Sequence, residues 1–140
     1  MTSLLPASVP PAPLRCFLVE DSAVIRQNLI ATLEELLAVQ IVGTAEDERS
    51  AVEWLRGHPA DTCDLMIIDI FLRKGTGLDV LRQARELHPE ARLVVLTNFA
   101  TADMRKRCAQ LGADRVFDKS AELEELLAYC EGLSRPLPQA

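Results

Sequence analysis

Short apolar runs alternate with amphipathic stretches along the central part of the chain. Three of the runs contain no regular polar alternation: CFLVE (16–20), LMIID (65–69) and LVVLT (93–97). Such runs are typical of central parallel strands that are covered on both faces. VQIVGTA (39–45) and RVFD (115–118) are more mixed, as expected for strands at or near a sheet edge. The pattern therefore predicts five strands.

A helix-like stretch follows each predicted strand. Its apolar residues recur every three or four positions and so share one helix face. The predicted buried residues are Ile25, Leu29, Leu33, Leu36 and Leu37, then Val52 and Leu55, then Leu78, Leu81, Ala84 and Leu87, then Met104, Cys108 and Leu111, and finally Leu123, Leu126, Leu127 and Cys130. Ser22, Thr101 and Ser120 are candidate N-caps, and Gly57 and Gly112 are candidate helix stops. Strict alternation of strand and helix predicts an α/β fold with an open, doubly wound parallel sheet.

Proline marks the expected domain limits. Six of the eight prolines lie within the first 13 or the last five residues. We therefore predict a Pro-rich, disordered N-terminal tail (1–13), one folded domain (14–134) and a short C-terminal tail (135–140), with no separate output domain. The other two prolines follow His58 and His88, which are expected at helix ends. With only these two histidines, hydrolase chemistry that needs an active-site histidine is unfavoured.

Composition limits the partners of the chain. It has 15 basic and 21 acidic residues, a net charge of −6 and a pI near 4.9, which argues against a nucleic-acid-binding surface. The basic run 105–107 does not form one basic face, because consecutive helical residues splay by about 100°. We interpret it as solvated helix surface.

The cysteines and the apolar runs indicate the compartment. Four scattered cysteines lack zinc-binding spacing and are interpreted as reduced core thiols. The N-terminus does not resemble a secretory signal, and no apolar run approaches the roughly 18 residues of a membrane span. We therefore expect a cytoplasmic protein that does not enter a membrane.

Five polar residues lie at the carboxyl ends of the predicted strands, where open α/β sheets bind ligands. They are Glu20, Asp21, Asp69, Thr97 and Lys119. Each alone is an ordinary cap, turn or surface residue, but together they indicate a site. Three acids in one place would repel one another unless a cation lies between them, and carboxylate oxygens suit Mg²⁺. Asp69 is the candidate nucleophile, since carboxylates form aspartyl-phosphates. Lys119 and Thr97 can contact an arriving phosphoryl group.

At these residues the chain resembles the receiver domains of two-component response regulators, the CheY-like superfamily, over about residues 14–133. The resemblance is carried by LVED (18–21), IIDIFLRKGTGLDVL (67–81), VVLTN (94–98) and GADRVFDKS (112–120). It implies a flavodoxin-like fold with strand order 2-1-3-4-5. It also implies that Asp69 accepts a phosphoryl group from a sensor histidine kinase or a histidine phosphotransfer protein. The implied Mg²⁺ ligands are Glu20, Asp21, Asp69 and the backbone carbonyl of Phe71, while Thr97 and Lys119 contact the phosphoryl group and trigger the conformational switch.

Several positions depart from the family pattern. The acid pair begins with Glu20 where aspartate is commoner, and Asn98 follows the threonine where a small residue is usual. Arg73 replaces a frequent proline, which predicts a freer loop after the third strand. Val116 occupies the switch position that usually holds Tyr or Phe, and strand alternation predicts that Phe117 points to the opposite face. We therefore expect an output route other than coupling between the threonine and an aromatic residue.

Two further features concern lifetime and output. Phe71 lies two residues after Asp69, and Phe99 lies two residues after Thr97. These aromatic residues either shield an aspartyl-phosphate from water or only cover the edge of the sheet. Output is expected through contacts with a downstream protein target at the fourth helix, fifth strand and fifth helix. Basic and acidic charges on these two helices predict either a homodimer or two solvated faces.

Three functional hypotheses follow. The first is a stand-alone, phosphorylatable receiver that is not itself an enzyme. The second is a receiver-like interaction module that is not phosphorylated. The retained Asp21, Asp69, Thr97 and Lys119 argue against it, whereas Val116 keeps it open. The third is a phosphohydrolase with Asp69 as nucleophile, which is disfavoured because that class carries a second aspartate where this chain has Phe71. A flavin-binding role is weaker still, because no phosphate-binding loop follows the first strand.

Overall fold

Residues 12–133 form a five-stranded parallel sheet flanked by five helices. The computed structural model describes residues 12–133. The elements are β1 (Leu14–Val19), α1 (Ala23–Leu36), β2 (Val39–Ala45), α2 (Glu48–Gly57), β3 (Leu65–Ile68), α3 (Gly77–Leu87), β4 (Arg92–Thr97), α4 (Ala102–Gln110), β5 (Arg115–Asp118) and α5 (Leu123–Leu133). The strand order is β2-β1-β3-β4-β5, and every neighbouring pair is parallel. The predicted fold is confirmed.

The predicted tails lie almost entirely outside the described residues. Only positions 12 and 13 of the N-terminal tail are described, and the C-terminal tail 135–140 is not. The expected domain start at 14 coincides with the first residue of β1. No helix within residues 12–133 combines the length and the apolar character that crossing a membrane requires.

The sheet separates two apolar layers, because neighbouring residues of a strand point to opposite faces. Phe17 and Ile68 face the layer that includes α2, α3 and α4. Leu18 and Ile67 face the layer that includes α1 and α5. Each fully buried side chain of this size contributes about 1.5–3 kcal/mol to folding. The two layers hold β3 rigidly in the middle of the sheet.

The predicted helix ends are largely confirmed. The side chain of Ser22 accepts a hydrogen bond from the Ile25 amide, and Thr101 does the same for Met104. Gly112 lies two residues after the end of α4 and has a φ of +109°, a conformation that favours glycine. Ser120 is not the cap of α5, because that helix begins only at Leu123. The Asp118 carboxylate instead accepts hydrogen bonds from the amides of Ser120 and Ala121 and orders the turn before α5.

Four predicted core residues are exposed. Ile25, Leu36, Leu87 and Leu123 lie in the first or last turn of their helices, and Leu36 is 69% exposed. The middle turns carry the core instead, with Leu29 and Leu33 in α1, Val80, Leu81 and Ala84 in α3, and Leu126 and Cys130 in α5. Periodicity identified the face of each helix correctly but overestimated how far along the helix the contact extends.

The four cysteines are buried, as expected of core thiols. Burial raises the pKa of the Cys63 and Cys130 thiols to about 12, so both stay protonated at neutral pH. A protonated, buried thiol is a poor nucleophile and a poor metal ligand. These cysteines therefore act as small apolar side chains.

Candidate functional site

One edge of the sheet collects the predicted site residues. Parallel pairing sets Ile68 beside Val19 and Val95, so the first, third and fourth strands end at the same edge. Glu20 and Asp21 follow β1, Asp69 follows β3, Thr97 ends β4 and Lys119 follows β5. Residues that are far apart in the chain therefore meet because the strands are parallel and in register.

Asp69 is buried and ion-paired. It is 5% exposed, and Glu20 is 1% exposed. The ammonium of Lys119 contacts both carboxylates, at 2.9 Å from Asp69 Oδ2 and 2.6 Å from Glu20 Oε1. Backbone amides occupy the other oxygens: Phe71 donates to Asp69 Oδ1 at 3.2 Å, and Ser22 donates to Glu20 Oε2 at 3.0 Å. The cost of burying two acids is thus offset by one cation and two N–H groups.

The charges at this edge do not balance. Burial raises the pKa of the Glu20 and Asp69 carboxyls above their ordinary values, although hydrogen bonds from Lys119 act in the opposite direction. Burial lowers the pKa of Lys119, but its hydrogen bonds to Glu20 and Asp69 outweigh that effect and raise it overall. One ammonium thus serves two buried carboxylates, with Asp21 nearby. A further cation would be favoured here.

The acidic side chains fit a metal ion. Carboxylate oxygens of Glu20, Asp21 and Asp69 lie within 4.8 Å of one another, and within residues 12–133 no other group of three or more such ligands is found. An all-oxygen set suits a hard dication such as Mg²⁺ or Ca²⁺ rather than zinc. The amide of Phe71 points to Asp69, while the predicted role of its carbonyl as a ligand stays a prediction.

The sequence model of the response regulator receiver domain family matches residues 16–131 of this chain. The chain belongs to this family. It is 34% identical over 125 residues to a probable transcriptional regulatory protein from Picosynechococcus sp., a match that covers 86% of this chain and 49% of that protein. The chain spans about half the length of the curated relatives it matches.

Solved structures of similar receiver domains include two phosphorylated proteins. One is a response regulator from Burkholderia pseudomallei with a phosphorylated aspartic acid, a calcium ion and citrate; it is 26% identical, with a TM-score of 0.70 over 82% of this chain and 65% of that one. The other is the phosphorylated cyanobacterial phytochrome response regulator RcpA; it is 28% identical, with a TM-score of 0.68 over 87% of this chain and 91% of that one.

Two hydrogen bonds from α2 reach the loop after Asp69 in this receiver domain, which carries Arg73. The Glu48 side chain at the start of α2 accepts a hydrogen bond from the Thr76 amide at 2.8 Å. The Glu48 amide donates to the Lys74 carbonyl at 3.2 Å. The expectation of a freer loop stays a prediction, and these two contacts from α2 weigh against it. Sequence reasoning missed Glu48, since its partners lie 26 and 28 positions away.

Replacing Glu48 tests this constraint. We expect Glu48→Ala to leave the Thr76 amide without its acceptor, lowering local stability by about 1 kcal/mol and speeding its hydrogen exchange about fivefold. Glu48→Gln is the control, because it keeps an acceptor oxygen and removes the same charge. Amide exchange at Thr76, followed by NMR, is the measurement. Equal exchange rates in the two variants would contradict the assignment.

Phe71 and Phe99 contact each other beside the acidic cluster. Their ring centroids are 4.9 Å apart at an interplanar angle of 67°, an edge-to-face arrangement. The rings remain 49% and 58% exposed. The structure thus brings together two aromatic side chains from the loops that follow β3 and β4. Such a pair can limit the access of water to Asp69.

Val116 and Phe117 lie on opposite faces of the sheet, as predicted. Phe117 is buried with Leu126 in the layer of α1 and α5, whereas Val116 packs against the other layer. Phe117 therefore does not replace the missing aromatic at the switch position. Its ring instead packs near Tyr129 and under the Arg115 guanidinium.

The Arg105 side chain is 39% exposed, but it also makes contacts that the sequence did not indicate. Its guanidinium donates to the carbonyls of Ala100 and Val116 and pairs with Glu122 at 2.6 Å. This contact joins α4 to the turn before α5 within one chain. Arg105 and Glu122 thus neutralise each other, which removes one basic and one acidic group from the charge argument for a homodimer.

Proposed function

We propose that Asp69 accepts a phosphoryl group from a histidine of a sensor histidine kinase or a histidine phosphotransfer protein. Phosphorylation then changes the contacts of this domain with a downstream protein target. The observation that carries the proposal is the buried Asp69 carboxylate, paired with Lys119 and within 4.8 Å of Glu20 and Asp21 oxygens. Membership of the receiver family and the phosphorylated aspartic acid in the Burkholderia relative support it.

The transfer needs little from the protein beyond position and charge. An oxygen of Asp69 forms a bond to phosphorus as the bond from phosphorus to the donor imidazole nitrogen breaks, and the electron pair returns to that nitrogen. Lys119 offsets negative charge on the phosphoryl oxygens, and the Thr97 hydroxyl donates a hydrogen bond to one of them. The Phe71 amide holds Asp69 in a fixed orientation. Each of these groups is supplied by the chain itself.

We propose Glu20, Asp21, Asp69 and the Phe71 carbonyl as the residues that hold Mg²⁺. Mg²⁺, when bound, neutralises charge on the transferring phosphoryl group. The excess of buried carboxylate over ammonium at this edge supports the assignment. The Burkholderia relative was solved with a calcium ion, which is also a hard dication.

Incubation with a small-molecule phosphodonor tests the function. With acetyl phosphate and Mg²⁺ we expect one phosphoadduct by intact mass, and none when a chelator removes the metal ion. Transfer from a phosphorylated kinase or phosphotransfer protein is the second arm. Absence of the adduct with every donor would favour the hypothesis of an interaction module that is not phosphorylated.

The proposed target is a protein rather than a nucleic acid. The net charge of −6 disfavours a surface that binds a phosphate backbone. The proposed contact face is formed by α4, β5 and α5. A homodimer through this face stays a proposal, tested by sedimentation before and after phosphorylation.

The aromatic pair is proposed to lengthen the life of the aspartyl-phosphate. We expect Phe71→Asn and Phe99→Lys to speed loss of the phosphoryl group by roughly two- to tenfold, because an edge-to-face pair contributes about 0.5–1.5 kcal/mol. The decay of the phosphoadduct after removal of the donor is the measurement. Leu36→Asn, which changes an exposed apolar residue far along α1 from the site, is the control. If the phosphoadduct decays no faster in these variants than in the wild-type chain, the two rings only cover the edge of the site and do not protect the phosphoryl group.

A further inference from the structure

We infer that Arg105 links the state of Asp69 to the face formed by α4, β5 and α5, because its guanidinium joins the loop that follows Thr97 to the segment that carries Lys119. The inference rests on the proposed function and adds to it the route by which phosphorylation reaches the output face. It also accounts for the valine at position 116.

The guanidinium binds three separate segments. Nε donates to the Ala100 carbonyl at 3.0 Å, in the loop between β4 and α4. Nη1 donates to the Val116 carbonyl of β5 at 2.8 Å, and Nη2 donates to Glu122 Oε1 at 2.6 Å, before α5. A planar group with five donors can make these bonds at once, whereas a lysine ammonium has no such fixed fork.

One branch of the link leads to Thr97. The Thr97 hydroxyl accepts a hydrogen bond from the Phe99 amide at 3.2 Å. A hydroxyl can accept one bond while donating another, so it keeps this bond when it donates to a phosphoryl oxygen. A shift of the hydroxyl toward Asp69 therefore draws the Phe99 amide with it. Ala100 is the next residue, and its carbonyl is the one that Arg105 holds.

The other branch leads to Lys119. Glu122 Oε1 accepts a hydrogen bond from the Asp118 amide at 2.8 Å in addition to that from Arg105. The next residue is Lys119, whose ammonium contacts Asp69 and whose amide donates to the Thr97 carbonyl at 2.9 Å. A phosphoryl group on Asp69 changes what the ammonium contacts. Both branches therefore end at the pair of Arg105 and Glu122.

The same pair lines the output face. A cavity of about 270 Å³ lies between α4 and β5, and Arg105, Val116 and Glu122 are among its lining residues. Movement of the guanidinium changes both the shape and the charge of this cavity. The contact on β5 is to a backbone carbonyl, which every residue type supplies. The route therefore needs no aromatic side chain at position 116.

Beryllofluoride with Mg²⁺, a mimic of the phosphoryl group, separates this link from binding at the site. In the wild-type chain we expect the mimic to change hydrogen exchange both at 66–76, around Asp69, and at 102–126, the output face. In Arg105→Gln we expect the mimic still to change hydrogen exchange at 66–76. The change in hydrogen exchange at 102–126 is expected to be smaller by a factor of about five or more, because the coupling between the two sites is lost. Arg107→Gln is the matched control, because it removes the same charge from an exposed position of the same helix.

Two further variants test the geometry of the Arg105 contacts and replace Arg105→Gln if that variant does not fold. Arg105→Lys keeps the positive charge but loses the planar, forked arrangement of donors, so we expect it to behave like Arg105→Gln. A wild-type response in Arg105→Lys would show that the arrangement of donors is not required. If Arg105→Gln does not fold, Glu122→Gln is measured instead, with the same loss of response expected. An undiminished response in these variants at 102–126 overturns the inference. Absence of bound beryllofluoride from the fluorine NMR spectrum of the wild-type chain would overturn the proposed function itself.

Discussion

Asp69→Asn is expected to abolish the phosphoadduct completely. Asparagine has almost the same shape, so the strand and its neighbours are retained, but its amide is not a nucleophile toward phosphorus. Lys119 keeps its contact with Glu20, which limits the disturbance to the site. Intact mass after incubation with acetyl phosphate and Mg²⁺ is the measurement. No other single change in this chain is expected to reduce phosphorylation as far.

The control for this result is Asp61→Asn. Asp61 is an exposed aspartate before β3, so its replacement makes the same chemical change away from the site. It is expected to leave the adduct at the wild-type level. An adduct that persists in Asp69→Asn would locate the phosphoryl group on another residue and reject the assignment of Asp69.

Gly77→Ala is expected to destabilise the domain by about 3 kcal/mol, the upper part of the range for overpacking. A Cβ at this position would meet the backbone carbonyl of Asp69 and lie 2.7 Å from Ile70 Cα. Neither atom can move without displacing the end of β3, since backbone is less adaptable than a flexible side chain. Urea unfolding followed by circular dichroism measures the loss.

Gly57→Ala is the matched control. Gly57 ends α2, and a Cβ built there meets nothing within 4 Å. Alanine also favours helix over glycine by up to about 1 kcal/mol, so this variant is expected to be as stable as the wild type or slightly more so. Equal stability of Gly77→Ala and Gly57→Ala would show that the backbone beside Asp69 yields easily. In that case the site is less rigid than its contacts indicate.

Much of the fold could be predicted because its signals are local. The unbroken apolar run at 65–68 is the buried strand β3, and the periodic stretches are helices on its two faces. Caps such as Ser22 and Thr101 need only neighbours three residues away. Leu36 and Leu123 were predicted wrongly because burial depends on which segments pack against a helix end, which no local pattern records.

The set of candidate site residues also followed from local features. Each of Glu20, Asp21, Asp69 and Thr97 lies at the end of an apolar strand, and parallel strands must end at a common edge. Lys119 follows the last strand in the same way. What could not be predicted were the contacts around them. Glu48 contacts the loop after Asp69 from another helix, and Arg105 contacts three segments, two of them more than ten positions away.

The sequence by itself determined the fold class, the family resemblance and the chemical types gathered at the sheet edge, because hydrophobic period and strand-end position are properties of short segments. Only the tertiary structure decided that one ammonium serves both Glu20 and Asp69, and that Phe71 contacts Phe99. It also decided that Arg105 lies between Ala100, Val116 and Glu122. Side-chain partners depend on distances between segments that are remote in sequence, and those distances exist only after the layers have packed.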